Sequence, residues 1–175
     1  MKYSKITISG KICTGKTTLF WGLQEHLNWP TFSTSQFFRD FARSHNFSID
    51  EAEEQNRKLT IATDKRVRDL LKKDINVIVE GWMAGIMANN NPSILRILLV
   101  CDDEKRIKRY AKRENVCLKE AREKVKSREE NWLNKLKRIY KRNDIFDPKH
   151  YDLVIDTTKN QPKKILNQVL RKLKG

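Results

Sequence analysis

Eight consecutive residues near the N-terminus, Gly10-Lys11-Ile12-Cys13-Thr14-Gly15-Lys16-Thr17, have the types and spacing needed to hold a phosphate. The pattern is Gly-x-x-x-x-Gly-Lys-Ser/Thr. A loop that curls round an anion must turn its N–H groups inward, and side chains at the glycines would obstruct that approach. Lys16 is placed to reach the β- and γ-phosphates of a nucleotide, and the Thr17 hydroxyl to ligate Mg²⁺. A helix starting at Lys16 would add the positive end of its dipole. Gly10 to Thr18 is therefore the expected nucleotide-contacting stretch, with ATP and Mg²⁺ as the expected cofactors. Cys13 reads as a small filler inside the loop rather than a reactive thiol.

The flanking elements fit that chemistry. Residues 4–9 alternate polar and β-branched side chains and predict a strand, and Thr17 to Leu27 carries Leu19, Phe20, Leu23 and Leu27 at helical spacing. Asn28-Trp29-Pro30 stops the helix. A short strand is expected over Thr31 to Ser33 and a helix over Ser35 to His45. Ser48-Ile49-Asp50-Glu51 reads as a capping box opening a helix to about Lys73. The apolar runs 75–79 and Ile94 to Val100 suit strands buried on both faces. Helices are predicted over Asp103 to Glu114 and Leu118 to about Lys141, a last strand over Tyr151 to Ile155, and a last helix over Pro162 to Leu173. Strands alternating with helices imply an α/β fold: a parallel five-stranded sheet, helices on both faces, and ligands at the carboxyl ends of the strands.

At 175 residues the chain fits one domain, 1–175, with 38% hydrophobic and 34% charged residues. Three cysteines without a Cys-x-x-Cys pair argue against a disulfide scaffold or a zinc site. The N-terminus lacks the apolar run of a signal peptide, and Ile94 to Val100 is too short to span a bilayer, so the expectation is a cytoplasmic protein without a membrane partner. A monomer is expected over an oligomer. The net charge of +15 is uneven: residues 1–100 carry 14 Lys and Arg against 10 Asp and Glu, and residues 101–175 carry 23 against 12. Such a half attracts nucleotide phosphates or nucleic acid, or simply presents solvated helix faces.

A GTPase would need Asn-Lys-x-Asp after a strand, which the sequence lacks. A motor would need an apolar strand ending in Asp-Glu, which neither Glu80-Gly81 nor Cys101-Asp102-Asp103 supplies. Small size and a basic second half favour a kinase, because phosphoryl transfer is catalysed largely by positioning and by cations round the moving group. An ATP-binding module associated with nucleic acid is the alternative, without a recognised RNA-binding motif to support it.

Further motifs follow in order: Ser35-Gln36-Phe37-Phe38-Arg39, Val79-Glu80-Gly81-Trp82-Met83-Ala84-Gly85, Arg106 to Glu114, Ser127-Arg128-Glu129-Glu130 and Tyr151 to Thr158. With the phosphate loop, this series resembles the nucleoside monophosphate kinases, most closely the short archaeal-type cytidylate kinases. The resemblance implies a P-loop fold with a helical acceptor-binding segment over about 35–73 and a lid over about 114–142. It implies phosphorylation of a nucleoside monophosphate, CMP or dCMP first, by ATP. Arg39 matches an arginine on the acceptor's phosphate, and Glu80 an acidic residue that holds hydrated Mg²⁺ through water. Arg109 matches an arginine against adenine, and Arg113 and Arg128 match arginines on the transferring phosphates, so Lys16, Arg113 and Arg128 form the expected catalytic set.

The departures concern the acceptor. Trp82 stands where the family has an arginine that grips the acceptor phosphate, and Lys135 keeps a charge in the lid without the planar fork of a guanidinium. Trp82 either stacks on a base or sugar or packs at a strand–helix junction. The family's paired aspartates are reduced to Asp64, and Arg142-Asn143-Asp144 is shifted by an insertion. A kinase for another nucleotide or a metabolite therefore stays open.

Overall fold

The computed structural model describes residues 2–48 and 57–175. Five strands form one parallel sheet: β1 (Lys5–Gly10), β2 (Thr31–Ser33), β3 (Val77–Glu80), β4 (Ile94–Val100) and β5 (Leu153–Asp156), in the order β2-β3-β1-β4-β5. The helices are α1 (Lys16–Leu27), α2 (Thr34–Ser44), α3 (Arg57–Lys72), α4 (Ala84–Met87), α5 (Asp103–Glu114), α6 (Leu118–Tyr140) and α7 (Pro162–Lys174). The α/β class and the parallel five-stranded sheet are those expected. Residues 49–51 of the expected capping box lie outside the described residues.

The helix ends have local causes. Asn28 and Asn115 sit in the left-handed region, at φ 52° and 55°, and close α1 and α5 with backbone bonds to Gln24 and Ala111. Asp102 caps the start of α5 by accepting from the Lys105 N–H at 3.1 Å. Acidic Asp103 and Glu104 occupy its first turn and basic Lys112 and Arg113 its last, which suits the helix dipole.

Apolar patterning then sorts the layers. One core packs Ile6, Ile8, Ile78, Leu95, Ile97 and Leu99 of the sheet against Leu19, Phe20 and Leu23 of α1 and Ile165, Val169 and Leu173 of α7. The opposite core joins Val77, Val79 and Ile94 to Val67 and Leu71 of α3, Met87 of α4 and Leu136 of α6. A third, smaller core lies between α5 and α6: Ile107, Tyr110, Ala111, Ala121 and Val125, with Ile12 inserted from the phosphate loop.

Two strands start two residues later than expected. The strand expected over 75–79 runs Val77–Glu80, because a bend at 73–75 leaves Ile75 exposed. The strand expected from Tyr151 begins at Leu153; Tyr151 instead donates from its hydroxyl to the Ile145 carbonyl, beneath Gly85. The alternation of β1 does not mark a solvent face, since all six residues are buried. Ser9 accepts from the Gly85 N–H at 3.0 Å and donates to the Gly81 carbonyl at 3.1 Å.

In this strand order β1 is central, and its carboxyl end lies beside that of β3, with Ile8 paired to Glu80. The chain leaves β1 toward β2 and β3 on one side and returns on the other through β4. That is the topological position at which open α/β sheets bind ligands.

Candidate active site

The loop between β1 and α1 is shaped by its two glycines. Gly10 has φ +151°, and a Cβ there would lie 2.5 Å from the Leu99 carbonyl oxygen and 2.7 Å from Thr14 Oγ1. Gly15 has φ +95° with open space around it, so its requirement is conformational rather than steric.

Every carbonyl from Lys11 to Thr14 is engaged, that of Lys11 from within the loop and the next three from outside. The Lys11 oxygen accepts from Thr14 Oγ1 at 3.0 Å and from Lys16 Nζ at 2.8 Å. The Ile12 oxygen accepts from Arg106 at 2.9 Å, that of Cys13 from Arg109 at 3.2 Å, and that of Thr14 from Thr157 Oγ1 at 2.9 Å. With the Ile12, Cys13 and Thr14 carbonyls turned out, the loop presents its hollow side and the first N–H groups of α1 to the cleft, as anion binding requires.

That cleft has a volume of about 620 Å³ and is lined by Ile12, Cys13, Gly15, Lys16, Thr17, Thr18, Ser35, Arg39, Glu80, Trp82, Arg109, Arg113, Glu114 and Arg128. Lys16 is buried, which pushes its pKa below the ordinary lysine value, while the Glu80 charge opposes the shift. An anion in the cleft would restore that charge's partner. Cys13 lies in the left-handed region at φ 59°, and burial raises its thiol pKa against the pull of Arg113 and Lys16. The expectation of an inert filler agrees with that direction.

Glu80 is fully buried at the end of β3. Its Oε2 accepts from Ser33 at 2.5 Å and from Ser35 at 3.0 Å, while its Oε1 is buried with no hydrogen-bond partner. Ser33 is also the N-cap of α2, accepting from the Gln36 N–H at 3.1 Å. An orphaned carboxylate oxygen beside Lys16 and Thr17 fits a hydrated divalent cation, which takes few carboxylates and keeps most of its waters. Among the described residues no group of three or more His, Cys, Asp or Glu could enclose a metal on its own.

Arg109 is held by the Thr157 carbonyl at 2.7 Å, by Thr157 Oγ1 at 3.2 Å and by Cys101 Sγ at 3.3 Å, besides the loop. It borders a smaller recess of about 160 Å³ with Gly15, Thr18, Leu19, Thr157, Asn160, Pro162 and Ile165. A mostly apolar slot under a planar cation suits a flat aromatic ring. Arg113, four residues on, ion-pairs with Glu114 at 2.7 Å and lies 5.3 Å from the Tyr110 ring centre.

Trp82 both packs and lines the cleft. Its ring lies 5.3 Å from Phe146 and 6.3 Å from Trp132, and Trp132 in turn contacts Phe38 edge-on at 5.6 Å. Lys135 is not brought to the cleft. Its ammonium stands 5.1 Å from the Trp132 ring centre and borders a separate groove with Arg57, Asn131, Asn134 and Arg138. Arg142 pairs with Asp144 at 2.8 Å, also away from the cleft.

The sequence reading did not single out Arg106, Glu129, Ser33 or Ser35 as site residues; Thr157 and Thr158 were expected only as backbone contacts to adenine, and Thr157 does border the recess beside Arg109. The one local signal was the spacing of Asp103, Arg106 and Arg109, three residues apart on one helix face.

Known proteins share these features. A sequence profile of the cytidylate kinase-like family matches residues 34–159. A cytidylate kinase of Thermoplasma acidophilum is 32% identical over 165 residues, spanning 92% of this chain and 87% of that one. A cytidylate kinase of Pyrococcus abyssi is 33% identical over 160 residues, spanning 90% and 86%. Among solved structures, an uncharacterized protein from Eubacterium ventriosum superposes with a TM-score of 0.73 at 17% identity, covering 98% of both chains. A shikimate kinase from Aquifex aeolicus gives 0.56 at 18%, covering 98% of this chain and 96% of the other. At those identities the structures speak for the fold. No helix among the described residues is long and apolar enough to cross a membrane.

Proposed function

The chain belongs to the cytidylate kinase-like family, and from that premise we propose that it transfers the terminal phosphoryl group of ATP to a nucleoside monophosphate, CMP or dCMP. The observation that carries this reading is the phosphate loop with three consecutive carbonyls gripped from outside and Lys16 at its mouth.

The residues divide by task. The loop N–H groups from Gly10 to Thr18, that of Ile12 excepted, and the Lys16 ammonium bind the donor phosphates, and Arg109 with its apolar recess takes adenine. Thr17 and Glu80, the latter through water, would hold Mg²⁺, which neutralises charge on the donor phosphates when bound. Arg113 and Arg128 supply cations to the transferring group, and the lid over about 114–142 brings Arg128 closer on closure while excluding water. Arg39, from the acceptor segment over about 35–73, binds the acceptor phosphate, and Trp82 walls the acceptor side. No general base is required, because the attacking phosphate is already an anion at neutral pH.

The test is ADP release from Mg-ATP with CMP, dCMP, UMP, AMP, GMP or dTMP as acceptor, against a control without one. CMP or dCMP should stimulate release, and Lys16→Ala should reduce it by at least roughly 100-fold. No stimulation by any monophosphate, or full activity without Lys16, would overturn the reading.

A further inference from the structure

Ile12 is a phosphate-loop residue held at every available point by the hairpin of α5 and α6. Its side chain, 8% exposed, is buried among Ile107 and Tyr110 of α5 and Ala121 and Val125 of α6. Its carbonyl accepts from Arg106 on α5 at 2.9 Å, and its N–H donates to Glu129 on α6 at 3.2 Å. Arg106 and Glu129 complete the ring by pairing with each other at 2.5 Å.

The bonding of Arg106 is saturated. Nη1 serves the Ile12 carbonyl and Glu129, Nη2 serves Asp103 and Glu129, and Nε serves Asp103, so all five N–H donors of the guanidinium are used. The side chains of Arg106 and Glu129 are 3% and 11% exposed, whereas that of Asp103 is 70% exposed. A contact whose only task was stability would be served as well by apolar side chains of similar volume. What a buried, fully bonded fork adds is direction: it fixes two helices against one peptide unit.

Those two helices carry the cations assigned to the transferring phosphoryl group. Arg113 lies seven residues beyond Arg106 on the same face of α5, and Arg128 is next to Glu129 on α6. We infer that Arg106 and Glu129 are positioning residues, forming with Ile12 a joint through which the phosphate loop sets where Arg113 and Arg128 stand. Occupancy of the loop by phosphate is thereby felt at the hairpin. The inference rests on the phosphoryl-transfer reading for its kinetic consequence, but not for its structural one.

The experiment compares Glu129→Gln, Arg106→Lys and Asp103→Asn with the wild-type chain. Glu129→Gln keeps an oxygen for the Ile12 N–H but removes the charge and turns an amide N–H₂ toward Arg106. Arg106→Lys keeps the charge without the fork. Asp103→Asn alters only the outer, exposed partner and serves as the control. Per folded molecule, kcat should fall roughly 10- to 100-fold in the first two, with KM for ATP and acceptor within about threefold of wild type, and Asp103→Asn should stay within about threefold. The second readout needs no turnover: backbone hydrogen exchange over 118–140 should slow when MgADP binds the wild type, and this protection should be lost in Glu129→Gln. Near-wild-type kcat in both joint variants, an equal loss in Asp103→Asn, or unchanged protection in Glu129→Gln would overturn the joint. If the wild type transfers phosphate to no monophosphate, the phosphoryl-transfer reading falls instead, and the exchange measurement alone decides the joint.

Discussion

Asp64 offers a prediction whose size follows from the structure. It lies buried on α3 and accepts a 2.6 Å hydrogen bond from the hydroxyl of Tyr140 on α6. Burial raises its pKa from 3.8 to about 6, against the Tyr140 hydrogen bond and the charges of Arg68 and Lys135. The native state thus takes up its proton near pH 6, and the unfolded chain only near pH 4. Between those values the native state holds more protons, so stability falls as pH rises through about 6. At 1.36 kcal/mol per pH unit the shift corresponds to about 3 kcal/mol. Asp64→Asn keeps an oxygen for the Tyr140 hydroxyl and cannot ionise, so it should escape this loss. Most of that span, about 2 kcal/mol, lies between pH 4.5 and 7.5, so over this interval it should gain that much relative to wild type, raising the urea midpoint on the order of 1 M. Urea unfolding at four pH values in that interval measures the difference. A difference that does not change with pH, or one that turns against Asn at high pH, would show that Arg68 and Lys135 outweigh desolvation and would refute the reasoning.

Two further outcomes test the site. Thr157→Val deletes the donor to the Thr14 carbonyl and an acceptor of Arg109; thermal unfolding should show a loss of roughly 1–3 kcal/mol, and ATP titration a raised KM. Glu80→Gln keeps the shape but not the charge of the orphaned carboxylate, so half-saturating Mg²⁺ should rise several-fold and excess Mg²⁺ should restore rate. Identical Mg²⁺ titrations for the two proteins would remove Glu80 from the metal site.

The parts legible in the sequence are those specified by neighbouring residues. The octet from Gly10 to Thr17 encodes its own backbone path, and α5 is bounded as read because Asp102 and Asn115 are local caps. Lys16 to Thr18, Glu80, Arg109, Arg113, Arg128, Arg39 and Trp82 do line one cleft. Lys135 does not, because residues 132 and 135 are three apart on one helix and the ammonium settles over the Trp132 ring. The ring of hydrogen-bond partners behind the loop was illegible for a different reason. Arg106 is 94 residues from Ile12, Glu129 is 117, and Thr157 is 143 from Thr14. No local pattern encodes a contact at such a separation. In β1, the alternation predicted the strand but not the burial of polar Thr7 and Ser9, which depends on α4 and the opposite core covering that side.

The altered acceptor side gives the joint on Ile12 added weight. An arginine at position 82 would hang from the scaffold at the end of β3 and grip the acceptor phosphate whatever the lid does. Trp82 cannot, and its ring is wedged between Phe146 and Trp132, so no small rotation brings a donor to that place. Of the cleft's cations outside the phosphate loop, Arg39 comes from α2, and Arg109, Arg113 and Arg128 come from the hairpin. Arg109 is committed to the Cys13 and Thr157 carbonyls. On the proposed reading, neutralising a second phosphate falls to Arg39 together with Arg113 and Arg128, and the helices of the latter two are those that Arg106 and Glu129 join. If those roles hold, an indole in place of a guanidinium at position 82 moves the burden of charge from the sheet to the lid, and a loose joint should then cost the transfer step rather than acceptor binding.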